Sequence, residues 1–589
     1  MSNTTPNLTG QFDTLKAIFK GDIDVTAQTL DIYSHDASLF EVRPQVVVYP
    51  KDTADIKTLV KWVNEENTKV ETNGKSSLSS PLFSITPRAA GTDMSGGAIG
   101  HSIIMDTTRY MNQIKEVTPD YAVVQPGCYY RDFDKATKKI DRYMPAFTAS
   151  RDLNAVGGMV GNNSGGEKAI KYGKTELYIN SLQVVLSDGN EYTIKPLTRV
   201  QIEEKMKGGA SSSTSDEAVG TSTSVSNGAV STPFEIDLYK KMYTLITEHY
   251  DEIMAAKPTV SKNSAGYYLW NVYDKVTGTF DLCRLIVGSQ GTLAIVSEIT
   301  FRLVPTDPYS NILAVFLPKL DDIGKLVAEI VPFKPDSLET YDDKSMILAI
   351  RFFFDFFKQL GFWGAIKLGL QFIPESFMVL FGGVPKMILM VEFTGHSEEE
   401  IKRQLTEVQE KIKHFGFKMR IARSGAEAEK YWKIRHESFN LLRKHVKGKR
   451  TAPFIDDIIV EPQYLPEFLP RVKALIDEYK LDYAVQGHLG NGNFHIIPLM
   501  DLKSPYSADV ILELSKKVYS LVHEFHGSIT AEHNDGIIRT PFLRQQFGDS
   551  IVDLFQQTKD AFDPQNIFNP GKKVKGTFED IKNAIRSKE

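Results

Sequence analysis

The chain has 589 residues, of which 42% are apolar, 24% charged and 11% aromatic; that balance describes a globular protein with roughly three to five domains' worth of chain. Lys and Arg number 69 against 74 Asp and Glu, a formal charge of −5, which argues against a general nucleic-acid binder. The two cysteines, Cys128 and Cys283, are too few for an intrachain disulfide framework, a four-Cys zinc site or an iron–sulfur cluster.

The opening run MSNTTPNLTG has neither a basic n-region nor an apolar h-region, so no signal peptide is expected and the cytoplasm is the predicted location. The first 40 residues are expected to form an N-terminal helical segment. Val46-Val47-Val48-Tyr49 has the look of a short buried strand ended by Pro50. Residues 53–64 carry apolar Ile56, Leu59, Val60 and Val63 at helical spacing, with Thr53 as the expected N-cap. Strands are predicted at 102–106 and 121–125, a helix at 130–140, and further strands at 182–186 and 292–303. Residues 208–231 are almost entirely small and polar, too poor in apolar surface to offset the entropy of ordering, and a disordered loop is expected there. Met387 to Phe393 is a strand candidate, and 398–415 an amphipathic helix with Ile401, Leu405, Val408 and Ile412 on one face. Residues 402–450 hold 15 Lys and Arg against 5 Glu, read either as solvated helix faces or as a funnel for an anionic substrate. Ten aromatic residues crowd 352–381, but Asp355, Lys358, Lys367 and Glu375 interrupt them, so a membrane span is not expected.

Three glycine-rich runs stand out. The first is Pro87-Arg88-Ala89-Ala90-Gly91-Thr92, followed by Ser95-Gly96-Gly97. Small residues of this kind let backbone N–H groups approach a diphosphate closely, yet the run is neither a Walker loop nor a spaced dinucleotide fingerprint. The second run includes Gly157, Gly158, Asn162, Gly165 and Gly166, and the third is Gly288-Ser289-Gln290-Gly291-Thr292-Leu293-Ala294-Ile295-Val296. In this order, with Gln125-Pro126-Gly127 between the first two, they resemble the FAD domain of the vanillyl-alcohol-oxidase class of flavoproteins. From about Arg43 to the end the chain is similar to the FAD-linked D-2-hydroxyacid dehydrogenases, the group that oxidises D-lactate, D-2-hydroxyglutarate and glycolate. The resemblance implies an α+β fold: a two-part FAD-binding domain over 41–305 of the PCMH type, a substrate or cap domain with an antiparallel sheet over 306–528, and a segment over 529–589 that returns to the FAD domain. It implies FAD contacts from the three runs, from Ser150, and from Asn569 in the closing Asn569-Pro570-Gly571-Lys572. Gln290 stands where the group usually has Glu. Members with covalent FAD have a His in the first run; none occurs here between Pro87 and Gly97, so non-covalent FAD is implied.

The run Gln486 to Pro498 reads QGHLGNGNFHIIP. Asn491-Gly492 between strand-like flanks predicts a two-residue hairpin turn, which would set His488 directly opposite His495 on one face, suited to two ligands of one metal. The run resembles the group's metal motif, with Asn491 in place of Asp. Glu532-His533 resembles the group's Glu-His-Gly motif, which implies Glu532 as third metal ligand and His533 as catalytic base, with Asn534 in place of Gly. If extended, the two side chains would point to opposite sides. Arg435 closes Trp432-Lys433-Ile434-Arg435, which resembles the group's substrate-carboxylate motif. These implications add up to metal-assisted oxidation of a small anionic D-2-hydroxyacid by FAD, with Zn²⁺ as the best-fitting ion and Mn²⁺ or Fe²⁺ as alternatives. A quinone or a soluble electron carrier would be the acceptor. Peripheral contact with the inner face of a membrane through the aromatic run, and a homodimer, are further expectations. Two other readings stand beside this one: an oxidase or alkyl-ether-lipid synthase of the same class, and a catalytically degenerate FAD- and metal-binding relative.

Overall fold

A computed structural model of the chain describes residues 11–72, 81–208, 231–343, 384–425, 427–435 and 448–586. The loop expected at 208–231 falls outside them except at its two ends, and the aromatic run at 352–381 falls outside them entirely.

The buried strand Val46–Tyr49 forms as its unbroken apolar run requires. It pairs in parallel with Ile103–Asp106, which pairs in parallel with Ile85–Arg88. Parallel neighbours buried on both faces read as continuous apolar runs, not as alternation. The helix that crosses between them extends further than expected, Thr53–Thr72. Its cap is Asp52 rather than Thr53: the Asp52 carboxylate accepts from the Asp55 N–H at 3.0 Å. The first forty residues contain two short helices but also a strand, Asp22–Asp24, which joins the edge of this sheet. The C-terminal part enters the same sheet: Phe568 forms a parallel bridge with Ile85, whose N–H donates to Ile567 O at 2.7 Å.

A second sheet is antiparallel, in the order Ile114–Val117, Tyr121–Val124, Ile295–Arg302, Ile179–Val185, Glu191–Ile194. The burial of Ile295–Arg302 alternates strictly, which is why its sequence pattern is legible. The first glycine-rich run begins within Ile85–Arg88, the third leads into Ile295–Arg302, and the second forms the helix Val156–Asn162 and the residues after it.

The third sheet has eight antiparallel strands. Its central path runs Tyr309–Leu317, Met387–Gly395, Ser337–Asp342, Asp482–His488, Asn493–Met500. On one face Leu313, Val315, Leu389 and Val391 join the core of the helices Ile323–Ile330 and Glu398–Ile412. On the other, Ala314, Tyr341, Ile388 and Met390 pack with Ala428, Tyr431 and Ile434. The second face carries the residues that matter below. Among the described residues no helix is long and apolar enough to cross a membrane.

Candidate active site

The hairpin of Asp482–His488 and Asn493–Met500 does not turn at Asn491-Gly492 alone. Leu489–Asn491 forms a 3₁₀ turn closed by Gly492 at φ +74°, so the loop has four residues. His488 is therefore opposite Asn493, and His495 opposite Gln486. The register differs from the expected one by two residues. A slip of one would have turned a histidine to the other face; a slip of two keeps both on the same face. Their rings lie diagonally, centroids 5.2 Å apart and nearly perpendicular. The neighbouring strand places Glu339 directly opposite His488.

Each histidine is oriented by a carboxylate. Glu339 Oε1 is 2.5 Å from His488 Nδ1, and Asp456 Oδ1 is 3.1 Å from His495 Nδ1. The Nε2 atoms then face one oxygen of Glu532: His488 Nε2 at 3.0 Å and His495 Nε2 at 3.6 Å from Oε1. Imidazoles held at one nitrogen by a carboxylate and offering the other are the usual donors to a metal ion. The described ligand atoms that lie within 4.8 Å of one another come from Asp457, His495, Glu532 and His533. Asp457 is committed elsewhere: one oxygen accepts from Thr530 Oγ1 and the N–H groups of Glu532 and His533, the other from Asn493. His495 and Glu532 belong to that group; His488, whose Nε2 meets the same Glu532 oxygen, could serve as a third donor.

The same bonds to Asp457 bend residues 530–533 into a turn. Glu532 and His533 consequently do not point to opposite sides. His533 stacks on His495 with centroids 4.8 Å apart, and its Nδ1 meets the second oxygen of Asp456 at 2.6 Å. Asp456 thus grips both rings. Burial works against the cation on His533, but Asp456 and Asp457 outweigh it and raise its pKa to about 9; positive charge added beside Glu532 would act in the opposite direction. Burial also opposes ionisation of Glu532, yet Lys262, His488 and His495 hold its carboxyl well below the usual range. Asn534 adopts φ +72°, the left-handed conformation the usual Gly would take, and its amide donates to Gly288 O at 2.9 Å. Asn491, in place of Asp, donates to Ser261 Oγ. Arg435 is buried, with Nη1 2.6 Å from Gln486 Oε1 and Nη2 3.3 Å from Glu339 Oε2.

These groups end a single cavity of about 360 Å³. Its wall includes Arg435, Gln486, His488, His495, Glu532 and His533 at one end. It continues along Pro87, Arg88, Ala89, Ala90, Gly91, Thr92 and Gly97, then Pro126, Ser150, Gly157, Gly158, Asn162, Gly165, Gly291, Ile295 and Val296. Seven residues expected to hold FAD are not on that wall: Ser95, Gly96, Gln125, Gly127, Gly166, Thr292 and Asn569. Asn569 Nδ2 donates to Gly97 O and Gln290 O, both at 2.8 Å, joining the first and third runs. Gln290, at φ +52°, donates to Ser95 Oγ at 3.0 Å and accepts from Gly536 N–H at 2.8 Å. An amide can do both; the carboxylate usual in the group could only accept.

The wall fits a flavin dinucleotide. A Cβ added at Gly158 would find nothing nearer than Ala89 at 3.8 Å, and at Gly161 nothing nearer than Gln290 at 4.0 Å; both would project into open cavity. Sequence reasoning missed Glu339, Asp456, Asp457, Gln486 and Lys262. Asp456-Asp457 carried a signal, two acids inside the apolar run 454–460, and Gln486 lies two residues before His488 on the same face of its strand. Glu339 and Lys262 carried none.

Comparisons agree with the fold. Residues 44–195 match the FAD binding domain, and residues 306–573 match the C-terminal domain of FAD linked oxidases. The D-2-hydroxyglutarate dehydrogenase of Pantoea ananatis is 25% identical over 95% of the chain, which spans about half (51%) of that relative's length. The D-lactate dehydrogenase of Anaerostipes hadrus is 24% identical, with 97% of this chain and 98% of that one covered. In three dimensions the chain superposes on 4-ethylphenol oxidase from Gulosibacter chungangensis with a TM-score of 0.65 at 15% identity, covering 96% of each chain. The chain thus carries the FAD binding domain and the C-terminal domain of FAD linked oxidases, on the vanillyl-alcohol-oxidase fold.

Proposed function

We propose that the chain oxidises a small D-2-hydroxyacid of the D-lactate kind to the corresponding 2-oxoacid. The observation that carries this reading is the meeting, on one cavity wall, of a buried guanidinium, two carboxylate-oriented imidazoles facing a glutamate, and a third imidazole, opposite three loops fit for FAD. Relatives named D-lactate dehydrogenase, D-2-hydroxyglutarate dehydrogenase and glycolate oxidase support the substrate class. When bound, FAD would supply the acceptor for the hydride of the α-carbon, and a divalent ion on His488, His495 and Glu532 would acidify the α-hydroxyl.

Arg435 holds the substrate carboxylate; Glu339 and Gln486 fix its plane, so the fork presents a defined edge. In its neutral form, which the positive charge of an ion beside Glu532 would favour, His533 takes the hydroxyl proton at Nε2, because Asp456 occupies Nδ1 and holds the ring against His495. The glycine-lined wall orients the flavin by shape, without a covalent bond. The three departures from the group's motifs do not favour a degenerate relative: Gln290, Asn491 and Asn534 each find hydrogen-bond partners where they stand. The electrons leave to a quinone or a soluble carrier.

Anaerobic addition of D-lactate should bleach the yellow protein and L-lactate should not. A substrate screen with an artificial electron-accepting dye ranks the other 2-hydroxyacids; no turnover of any D-2-hydroxyacid would overturn the reading. Acid precipitation should leave all the yellow colour in the supernatant.

A further inference from the structure

We infer that Lys262 is a positioning residue that locks Glu532 and the histidine hairpin into one metal-binding arrangement. The inference rests on the metal site proposed above and concerns a residue outside every motif of the family resemblance. Lys262 is 1% exposed at its side chain. Its ammonium donates to Glu532 Oε2 and to Asn493 Oδ1, both at 2.9 Å. Those partners belong to the two halves of the site: Asn493 is the residue paired with His488 across the hairpin, and Glu532 arrives from a segment 270 residues beyond Lys262.

The consequence for Glu532 is geometric. With Oε2 taken by the ammonium, Oε1 is the oxygen that meets His488 and His495. The carboxylate is thereby set to serve as a one-oxygen ligand in a fixed rotamer. The backbone that carries Lys262 is itself anchored. Ser264 N–H donates to Thr530 O at 2.9 Å, Ser528 Oγ donates to Asn263 Oδ1 at 2.6 Å, and the buried Lys174 ammonium donates to Asn263 O and Ala531 O at 2.6 and 2.9 Å. Lys262 therefore reaches Glu532 from a platform tied to the residues just before Glu532. Partners that orient a metal ligand typically change metal affinity ~10–100-fold when removed.

The test compares the wild-type holoenzyme with Lys262→Met, which keeps length and apolar bulk. Each is dialysed against graded EDTA, then assayed for zinc, manganese and iron by elemental analysis, for FAD by absorbance, and for D-lactate turnover with and without added Zn²⁺ or Mn²⁺. The expected result is metal loss at ~10–100-fold lower chelator concentration, unchanged FAD content, and turnover recovered by excess metal ion. Metal retention over the same chelator range as wild type, with a lower melting temperature alone, would overturn the inference and leave Lys262 a purely structural cation. Wild-type protein without stoichiometric metal would instead refute the metal site itself, before any variant is compared. If Lys262→Met yields no soluble protein, Lys262→Gln, whose amide can still donate to Asn493, is measured in the same way and decides by the same outcomes.

Discussion

Along the glycine-rich side of the cavity, Ala89, Gly158 and Gly161 present backbone and very small side chains, and the loops are tied by the amides of Gln290 and Asn569 and by a single buried carboxylate, Asp93. At the other end, Glu339, Asp456, Asp457 and Glu532 face Arg435, Lys262 and three histidines, nearly all of them buried. The two ends should therefore fail differently. A wall that recognises by shape is sensitive to added volume. A cluster of buried charges is sensitive to subtraction, because removing one partner leaves another charge uncompensated, typically at ~3–5 kcal/mol.

The strongest way to break the comparison is to add volume on the glycine-rich side. Gly158→Val should leave the apoprotein folded, since the added carbons enter open cavity, yet abolish FAD retention; a yellow, active variant would show that the flavin lies elsewhere. At the charged end, His533→Asn should keep FAD and metal while turnover falls ~10²–10⁴-fold, the usual scale for a general base, as read by anaerobic flavin reduction. Loss of metal in that variant would exchange the roles of Glu532 and His533.

A subtler change sharpens the contrast. Asn569→Ala strands the carbonyls of Gly97 and Gln290 and places Ala at φ +40°. It should cost about 2–4 kcal/mol of stability and weaken FAD binding, with metal content unchanged. Calorimetry and elemental analysis on the same sample separate the two.

The smallest expected effect is a pH dependence at a residue that does not line the cavity. Glu392 is buried on the eight-stranded sheet, and burial pushes its carboxyl up to about 7, against the pull of Lys168 and its bond from Ser310. The folded pKa lies above the unfolded one, so the native state binds the proton more tightly. The associated stability is present at low pH and is lost as pH rises from about 4.5 through 7. Glu392→Gln removes that dependence. Its melting temperature should gain on the wild type between pH 5.5 and 8.5, by an amount corresponding to on the order of 2–3 kcal/mol; parallel curves would refute the assignment.

What the sequence disclosed and what it withheld divide along similar lines. Local signals were strong where one residue type has one physical use: glycine where a ligand or backbone comes close, alternating apolar residues in Ile295–Arg302, and two histidines on one face of a hairpin. The face shared by His488 and His495 was legible because it survives a two-residue error in register, whereas the turn was not, since Leu489–Asn491 had no mark of a 3₁₀ turn. Opposite directions for Glu532 and His533 held only if that segment were extended; Asp457, 75 residues earlier, bends it, and no local pattern records so distant a carboxylate. The motif placed Asn569 near the flavin; what no motif recorded is that its side chain ties the first and third glycine-rich runs together. Glu339 and Lys262 depend wholly on tertiary pairing.

The parallel bridge between Ile85 and Phe568 bears on how the protein is made. The first glycine-rich loop leaves the ribosome some 480 residues before the strand and the asparagine that complete it, Thr86 and Asn569 being 483 positions apart. At ~5–20 residues per second, that interval is roughly 25–100 s of translation. For that time the nascent N-terminal sheet lacks an edge partner and its cofactor loop lacks the tie that fixes it. The loop can reach its final conformation only after residue 569 has been added to the chain.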